Sequence, residues 1–333
     1  MNFQIKKTVL LTGAGFTKPF RGSLAGEMFG RIYNRICGSP TLQTDIKKWV
    51  PDYEGFYDNV LRSGQFKEQE KKLFEGALRS AYGELDEDIR DQDVSLRDIC
   101  TRFFERFSGY GKEKGFVFTL NQDLFVERWC WADKILIKIP GIDGHPDWFT
   151  PRFISALQDE HWVKLPDVDR LQKNKAYFYN QNWGSLGYVK LHGSYGWRGK
   201  YPMIIGKAKT EQMKNEPLIN WWMELFQEVL KKADKLVVAG YSFRDEHING
   251  WILQAMNNGL CLHVVNPKPM DEFRDFLLNL HRTNPPGEPV LSQMQEIWEK
   301  LGPYHAHSVP DFFVKSHTSL TPEGERFFDS IGV

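Results

Sequence analysis

Five short apolar runs, each stopping at glycine or a small polar residue, constrain the fold of this chain more than any other feature. TVLL (8–11) leads into Gly13-Ala14-Gly15-Phe16-Thr17, and GFVFTL (115–120) leads into Asn121-Gln122-Asp123. YVKL precedes His192-Gly193-Ser194, KLVVA precedes Gly240-Tyr241-Ser242, and LCLHVV precedes Asn266-Pro267. Unbroken apolar runs too short for helices read as strands buried on both faces, and helix-periodic stretches alternate with them. That grammar predicts a mostly parallel sheet with helices on both faces. Ligands of such sheets collect at the carboxyl ends of the strands, so the residues after each run are the candidates for chemistry.

The segments between the runs complete an α/β, Rossmann-like expectation. Residues 20–108 are charged and helix-periodic, as in FKEQEKKLFEGALRSAYGEL and VSLRDICTRFFERF, and read as a mainly helical insert. Residues 128–186 read as an irregular insert or lid, because DRLQKNKAYFYNQNWG shows no sustained period. YPMIIG (201–206) reads as a strand, PLINWWMELFQEVLKKA and FRDEHINGWILQAM as helices, and YHAHSV as an edge strand. Residues 270–333 form a C-terminal helical extension, and 1–333 is expected to be a single domain.

Composition removes several classes of function. Lys plus Arg equals Asp plus Glu at 43 each, so no global field draws the chain to nucleic acid or anionic lipid. The 11 Trp, 12 Tyr and 24 Phe come without a basic stripe, and core packing accounts for them. Cys37, Cys100, Cys130 and Cys261 are far apart with no CxxC pair, which argues against a zinc ribbon or a secreted disulfide framework. No uncharged apolar stretch approaches about 18 residues. A cytoplasmic, membrane-free protein is expected.

Gly13 and Gly15 begin a GxGxxG pattern, but its third position is Lys18 and no acidic strand end follows, so this is not the dehydrogenase fingerprint. A Walker A loop is absent too. What remains is a turn whose backbone can approach a pyrophosphate at a helix N-terminus. Asn121 could hold a water or a sugar hydroxyl, or could cap the helix that follows. His192 could act as a base or order a ribose hydroxyl. Gly240 and Ser242 are ligand candidates; Asp245 and Glu246 suit a helix first turn, and His247 is placed on that helix's face. His145, His161, His263, His281 and His317 read as satisfied by backbone partners. His305 and His307 alternate like strand residues, with no ligand cluster for a metal.

Taken together, GAGFT, FTLNQD, KLHGS, VVAGYS and HVVNP resemble, in that order, the NAD-binding domain of the sirtuin family. GYSFRDEHIN is similar to the sirtuin-like proteins of bacterial antiphage systems. The resemblance implies that Gly13, Ala14, Gly15, Phe16 and Thr17 cradle the NAD pyrophosphate and that Asn121 and Asp123 line the pocket of the nicotinamide and its ribose. It implies that His192 is the catalytic histidine, that Gly240, Tyr241 and Ser242 approach the phosphates and adenosine, and that Asn266 lies near the adenine ribose. The family's deacylases carry a four-cysteine zinc module that this chain lacks, and Asn121 and His192 stand 71 positions apart, far more than in the family's pattern. The expected activity is therefore NAD hydrolysis, with NAD as substrate and no zinc, in a gated antiphage effector. It would act as a homo-oligomer or with a separately encoded sensor or ring-forming ATPase. The other readings are a non-catalytic NAD or ADP-ribose sensor and a sirtuin-type deacylase or ADP-ribosyl transferase.

Overall fold

The apolar runs become the strands of one parallel sheet in the computed structural model of the chain. The structure describes residues 4–90, 94–110, 113–129, 137–142, 163–180, 186–198, 203–206, 209–283, 288–314 and 319–333. Ten strands occur among them: β1 (Gln4–Ile5), β2 (Thr8–Thr12), β3 (Glu113–Thr119), β4 (Ile137–Lys138), β5 (Val163–Lys164), β6 (Leu186–Lys190), β7 (Trp197–Arg198), β8 (Lys235–Ala239), β9 (Cys261–Val265) and β10 (Tyr304–His305). The main sheet runs β10-β9-β8-β2-β3-β6-β4, with β1 beside β3, and β5 pairs with β7 apart from it. Every strand pair is parallel.

β2 is the pivot. The chain moves from β2 outward through β3 and β6, then returns to the other side of β2 for β8, β9 and β10. Strand order therefore reverses between β2 and β8, the switch point of a Rossmann-like α/β sheet. Every residue of β2 and β6 is buried, so both faces are covered. The helix Pro217–Leu230 supplies much of one cover: Phe226 meets Phe118 of β3 with ring centroids 4.7 Å apart, and Trp222 donates to the Pro140 carbonyl at 2.9 Å.

Between β2 and β3 the chain forms the helices Ala25–Arg35, Pro40–Ile46, Tyr53–Arg62, Glu68–Arg90 and Val94–Glu105. Their starts are set by local capping. The Ser39 hydroxyl accepts from Leu42 N at 3.3 Å, and Asp52 accepts from Gly55 N at 2.8 Å. Phe74, Ala77, Leu78, Ala81, Tyr82 and Leu85 recur at helical spacing in the longest of them and are all buried. At the C-terminus, the helix Pro322–Ile331 docks under the sheet, with Thr8 donating to the Ile331 carbonyl at 2.7 Å.

Two readings of the sequence are corrected. The polar run after residue 167 contains a helix, Val168–Asn180, whose Leu171 and Phe178 are buried with Asn174, Lys175 and Tyr179 half-buried between them. Its period was hidden because polar side chains serve the interface with their apolar stems and polar tips together. Asn174 donates to the Gly141 carbonyl at 2.7 Å, and the Lys175 ammonium lies 5.2 Å from the Trp221 ring centroid. YPMIIG is not a strand over its described residues 203–206; Met203 makes one isolated bridge to Gly193, and Gly206 turns away at φ +90°. Among the described residues no helix is long and apolar enough to cross a membrane.

Candidate functional site

Strand register sets the backbones of Asn121 and His192 just beyond the ends of adjacent strands. Thr119 of β3 pairs with Lys190 of β6, and Leu191 N donates to Thr119 O at 2.9 Å, so each candidate stands two residues beyond the last paired position of neighbouring strands. The following loops stay joined, since Gln122 O accepts from the Ser194 hydroxyl at 3.1 Å and from Tyr195 N at 3.2 Å. Asn121 does not cap the next helix, which starts only at Phe125. Its backbone N–H is held by the Thr119 hydroxyl at 3.1 Å, while its carboxamide makes no hydrogen bond among the described residues. Asp123 is committed to the fold: it is buried, accepts from Phe125 N at 2.9 Å, and burial raises its pKa against the pull of Lys190.

Beneath this pair lies an ion pair of Lys190 and Glu127, 2.9 Å apart with both side chains fully buried. The Lys190 ammonium also donates to the Asp123 carbonyl. One cation thus ties the β6 end to the loop carrying Asn121.

His192 is 4% exposed, and its Nε2 is buried without a hydrogen-bond partner. Leaving such a group unmet costs about 1–3 kcal/mol. The nearest carboxylate oxygen, Oδ1 of Asp245, is 3.7 Å away. That separation is beyond hydrogen-bond range. The oxygen is taken by Lys209, whose ammonium stands 2.7 Å from it and 2.8 Å from Glu54 Oε2. Burial drives the His192 pKa down to about 3, opposed by Asp245, so the imidazole is neutral at pH 7. Burial would raise the Asp245 carboxyl, but Lys209 and then His192 outweigh it and hold it below the usual range. Burial would lower Lys209, and its two carboxylates reverse the direction.

Asp245 thus does more than favour a helix dipole. It occupies the N-cap position of the helix Glu246–Asn257 without a side-chain capping bond, because the carboxylate is turned to Lys209. His247 is not simply on a helix face either: its ring centroid is 5.9 Å from that of His192. Lys209, Glu54, Asp245 and His247 were missed as members of one cluster. The only signal in the sequence was the position of Asp245 and His247 just after a strand-end glycine.

The glycines answer to each other. Gly15 N donates to the Gly240 carbonyl at 2.8 Å, and a Cβ on Gly13 would lie 2.8 Å from that same oxygen. A Cβ on Gly240, which sits at φ +65°, would lie 1.9 Å from Phe16 N. The two turns flanking the switch point are therefore locked backbone to backbone, which is sufficient reason for all three glycines. The helix after Gly13 is short, Ala14–Thr17, and the buried Thr17 hydroxyl donates to the Ala14 carbonyl at 3.1 Å. Phe16 and Tyr241 are turned inward: Phe16 packs among Phe20, Phe103, Phe104 and Phe125, and the Tyr241 hydroxyl donates to Asn249 Oδ1 at 2.8 Å. Their side chains are thus committed to the fold, and the Phe16 N–H is taken by the Gly13 carbonyl at 2.9 Å. Ser242 is half-buried beside them, while the Asn266 carboxamide oxygen accepts from Lys268 N at 3.0 Å in a local turn.

Among the other histidines, His145, His161 and His317 lie outside the described residues. His263 departs from expectation, since both ring nitrogens are buried without hydrogen-bond partners and its ring stacks 5.9 Å from His305. Among the described residues no group of three or more His, Cys, Asp or Glu could hold a metal ion.

Residues 115–261, from β3 through the first residue of β9, match the SIR2-like domain. That span contains Asn121, His192, Lys209, Asp245 and His247. Among solved structures, one from work on the structural basis for the mechanism and regulation of Sir2 enzymes is 15% identical, covering 88% of this chain and 90% of that chain at a TM-score of 0.34. Two point mutants of a Sir2 homologue in complex with ADP-ribose are 14% and 13% identical, each covering 88% of this chain and 92% of theirs, at TM-scores of 0.34 and 0.33. No curated protein matches the chain.

Proposed function

We propose that the chain is an NAD glycohydrolase that cleaves the bond between nicotinamide and ribose, with Asn121 and His192 as the reacting pair. The observation that carries the reading is that each stands two residues beyond a paired position of the adjacent strands β3 and β6, with the His192 Nε2 buried and without a hydrogen-bond partner. The SIR2-like match over the span that holds both is its second support.

The chemistry asks for little base strength. As the C–N bond breaks, its electron pair passes to the nicotinamide ring nitrogen, which leaves neutral, and the ribose carbon becomes oxocarbenium-like. Water adds to that carbon and loses a proton; the products are nicotinamide, ADP-ribose and one proton. A water bonded to such a carbon is strongly acidic, so an imidazole whose pKa has been driven down to about 3 can take the proton and pass it on. Being neutral at pH 7, it leaves the developing cation unopposed. Asn121 orients the water through a carboxamide that can both donate and accept. The Asp245 carboxylate, held below the usual range by Lys209 and 3.7 Å from His192 Nε2, favours positive charge at the ribose.

The setting we propose is a gated effector of antiphage defence that depletes NAD when a partner or self-association releases it. GYSFRDEHIN supports that reading through its similarity to antiphage proteins. The test is chromatography of NAD incubations, with and without the products of neighbouring genes. Asn121→Ala and His192→Ala should each lower nicotinamide release about 10²-fold or more while melting as the wild type does. Unchanged NAD consumption in both variants refutes the assignment.

A further inference from the structure

His247 stands beside His192 without a part in the reaction above. It is the second residue of the helix Glu246–Asn257, and the edge-on Trp251 ring, 5.4 Å away, supports it. Its Nε2, like that of His192, is buried with no hydrogen-bond partner. Native folds leave few such atoms unmet, and these two, unlike those of His263 within β9, stand beyond the strand ends, where the ligands of such sheets collect.

The surroundings decide the ligand's chemistry. The Asp245 carboxylate stands 3.7 Å from His192 Nε2, and burial adds a further cost to any charged ligand, so an anion such as phosphate is disfavoured. A purely apolar group would leave both nitrogens unmet. Burial lowers the pKa of both histidines, so each presents a neutral imidazole, whose free nitrogen donates or accepts according to tautomer. A hydroxyl does both.

We infer that His247, beside His192, holds one of the vicinal hydroxyls of a furanose, making His247 a sugar-binding residue of the site. The identity of that sugar, the ribose on the nicotinamide side of NAD, rests on the function proposed above. Asp245, held by Lys209, occupies the N-cap position of the helix that carries His247.

Calorimetric titration with ADP-ribose tests the inference, using also the two ADP-ribose analogues that lack one hydroxyl of the distal ribose. His247→Ala should weaken ADP-ribose binding about tenfold, equivalent to about 1.4 kcal/mol. One analogue should bind wild type about tenfold more weakly and lose nothing further in the variant. Equal weakening of all three ligands by His247→Ala, or none, overturns the inference, as does wild type that binds both analogues as tightly as ADP-ribose. That last comparison needs no variant, and His247→Gln, melted beside wild type, guards against a folding artefact. Binding with the expected pattern but no nicotinamide release from NAD, with or without the products of neighbouring genes, refutes hydrolysis and leaves the sugar grip standing. Wild type that binds neither NAD nor ADP-ribose overturns both.

Discussion

Replacing Lys190 with Met removes the countercharge of Glu127 while keeping a long, flexible side chain. Both partners are fully buried and 2.9 Å apart, so the orphaned carboxylate has no route to solvent without unfolding. It can escape only by protonation, and that sets the scale. An ordinary glutamate has a pKa near 4.3, and each pH unit above it costs about 1.4 kcal/mol to keep the group neutral, so the penalty approaches about 3.7 kcal/mol at pH 7. At pH 5 the same reasoning gives about 1 kcal/mol. The sign follows from linkage: burial already raises the Glu127 pKa against Lys190, and losing Lys190 raises it further. The native variant thus binds a proton that its unfolded chain releases above about pH 4.3, and its stability falls as pH rises. Urea unfolding of wild type and Lys190→Met at pH 5, 6, 7 and 8 measures the difference, which should widen with pH above the raised pKa of wild-type Glu127, by at most about 1.4 kcal/mol per unit. Lys190→Met/Glu127→Leu should restore a difference that is flat with pH. A single-variant deficit that does not change with pH, or one below about 1 kcal/mol at pH 7, refutes the account.

Gly240→Ala should cost about 3–5 kcal/mol, combining left-handed backbone strain, a severe Cβ clash and loss of the Gly15 to Gly240 hydrogen bond. The clash is with Phe16 N, 1.9 Å from the added Cβ. Gly64 is the control, at φ +71° with nothing within 4 Å of an added Cβ. Gly64→Ala should cost only about 1 kcal/mol, and equal melting shifts would discredit the locked-turn argument. Burial drives the pKa of His263 and of His305 down to about 4, so the unfolded chain binds protons that the native one refuses between pH 6.5 and 4. Stability should therefore fall as pH drops through that window, and His263→Leu should make the fall shallower; an unchanged slope removes His263 from the explanation.

The sheet was legible because strands buried on both faces must be apolar without interruption, and little else in a chain of this composition looks like that. The helix Val168–Asn180 was illegible for the opposite reason, since the side chains of Asn174 and Lys175 reach its packing surface from residues that score as polar. YPMIIG misled because Ile204 and Ile205 are buried without a ladder: Ile204 N donates to His192 O at 2.9 Å, and the Gln212 side chain brackets Ile205. At the site, strand ends located Asn121 and His192, whose positions follow from local grammar. Lys209 and Glu54 carry no such mark. A lysine and a glutamate on polar stretches acquire meaning only when Asp245 is folded against them, and that is a tertiary fact. The glycines were legible as a tight turn, but the partner they admit is the backbone of the neighbouring turn.

The cluster around His192 draws on positions 54, 192, 209, 245 and 247, so no contiguous piece of chain shorter than residues 54–247 contains it. Glu54 is made early in synthesis, whereas Asp245 and His247 come only after β8. A ribosome-bound or proteolytically shortened chain ending before β8 holds neither the carboxylate that Lys209 grips nor the second imidazole. Completion of the fold is itself the condition for assembling the site. For the hydrolase proposed above, this keeps immature chains from drawing on NAD before any dedicated restraint can act on them.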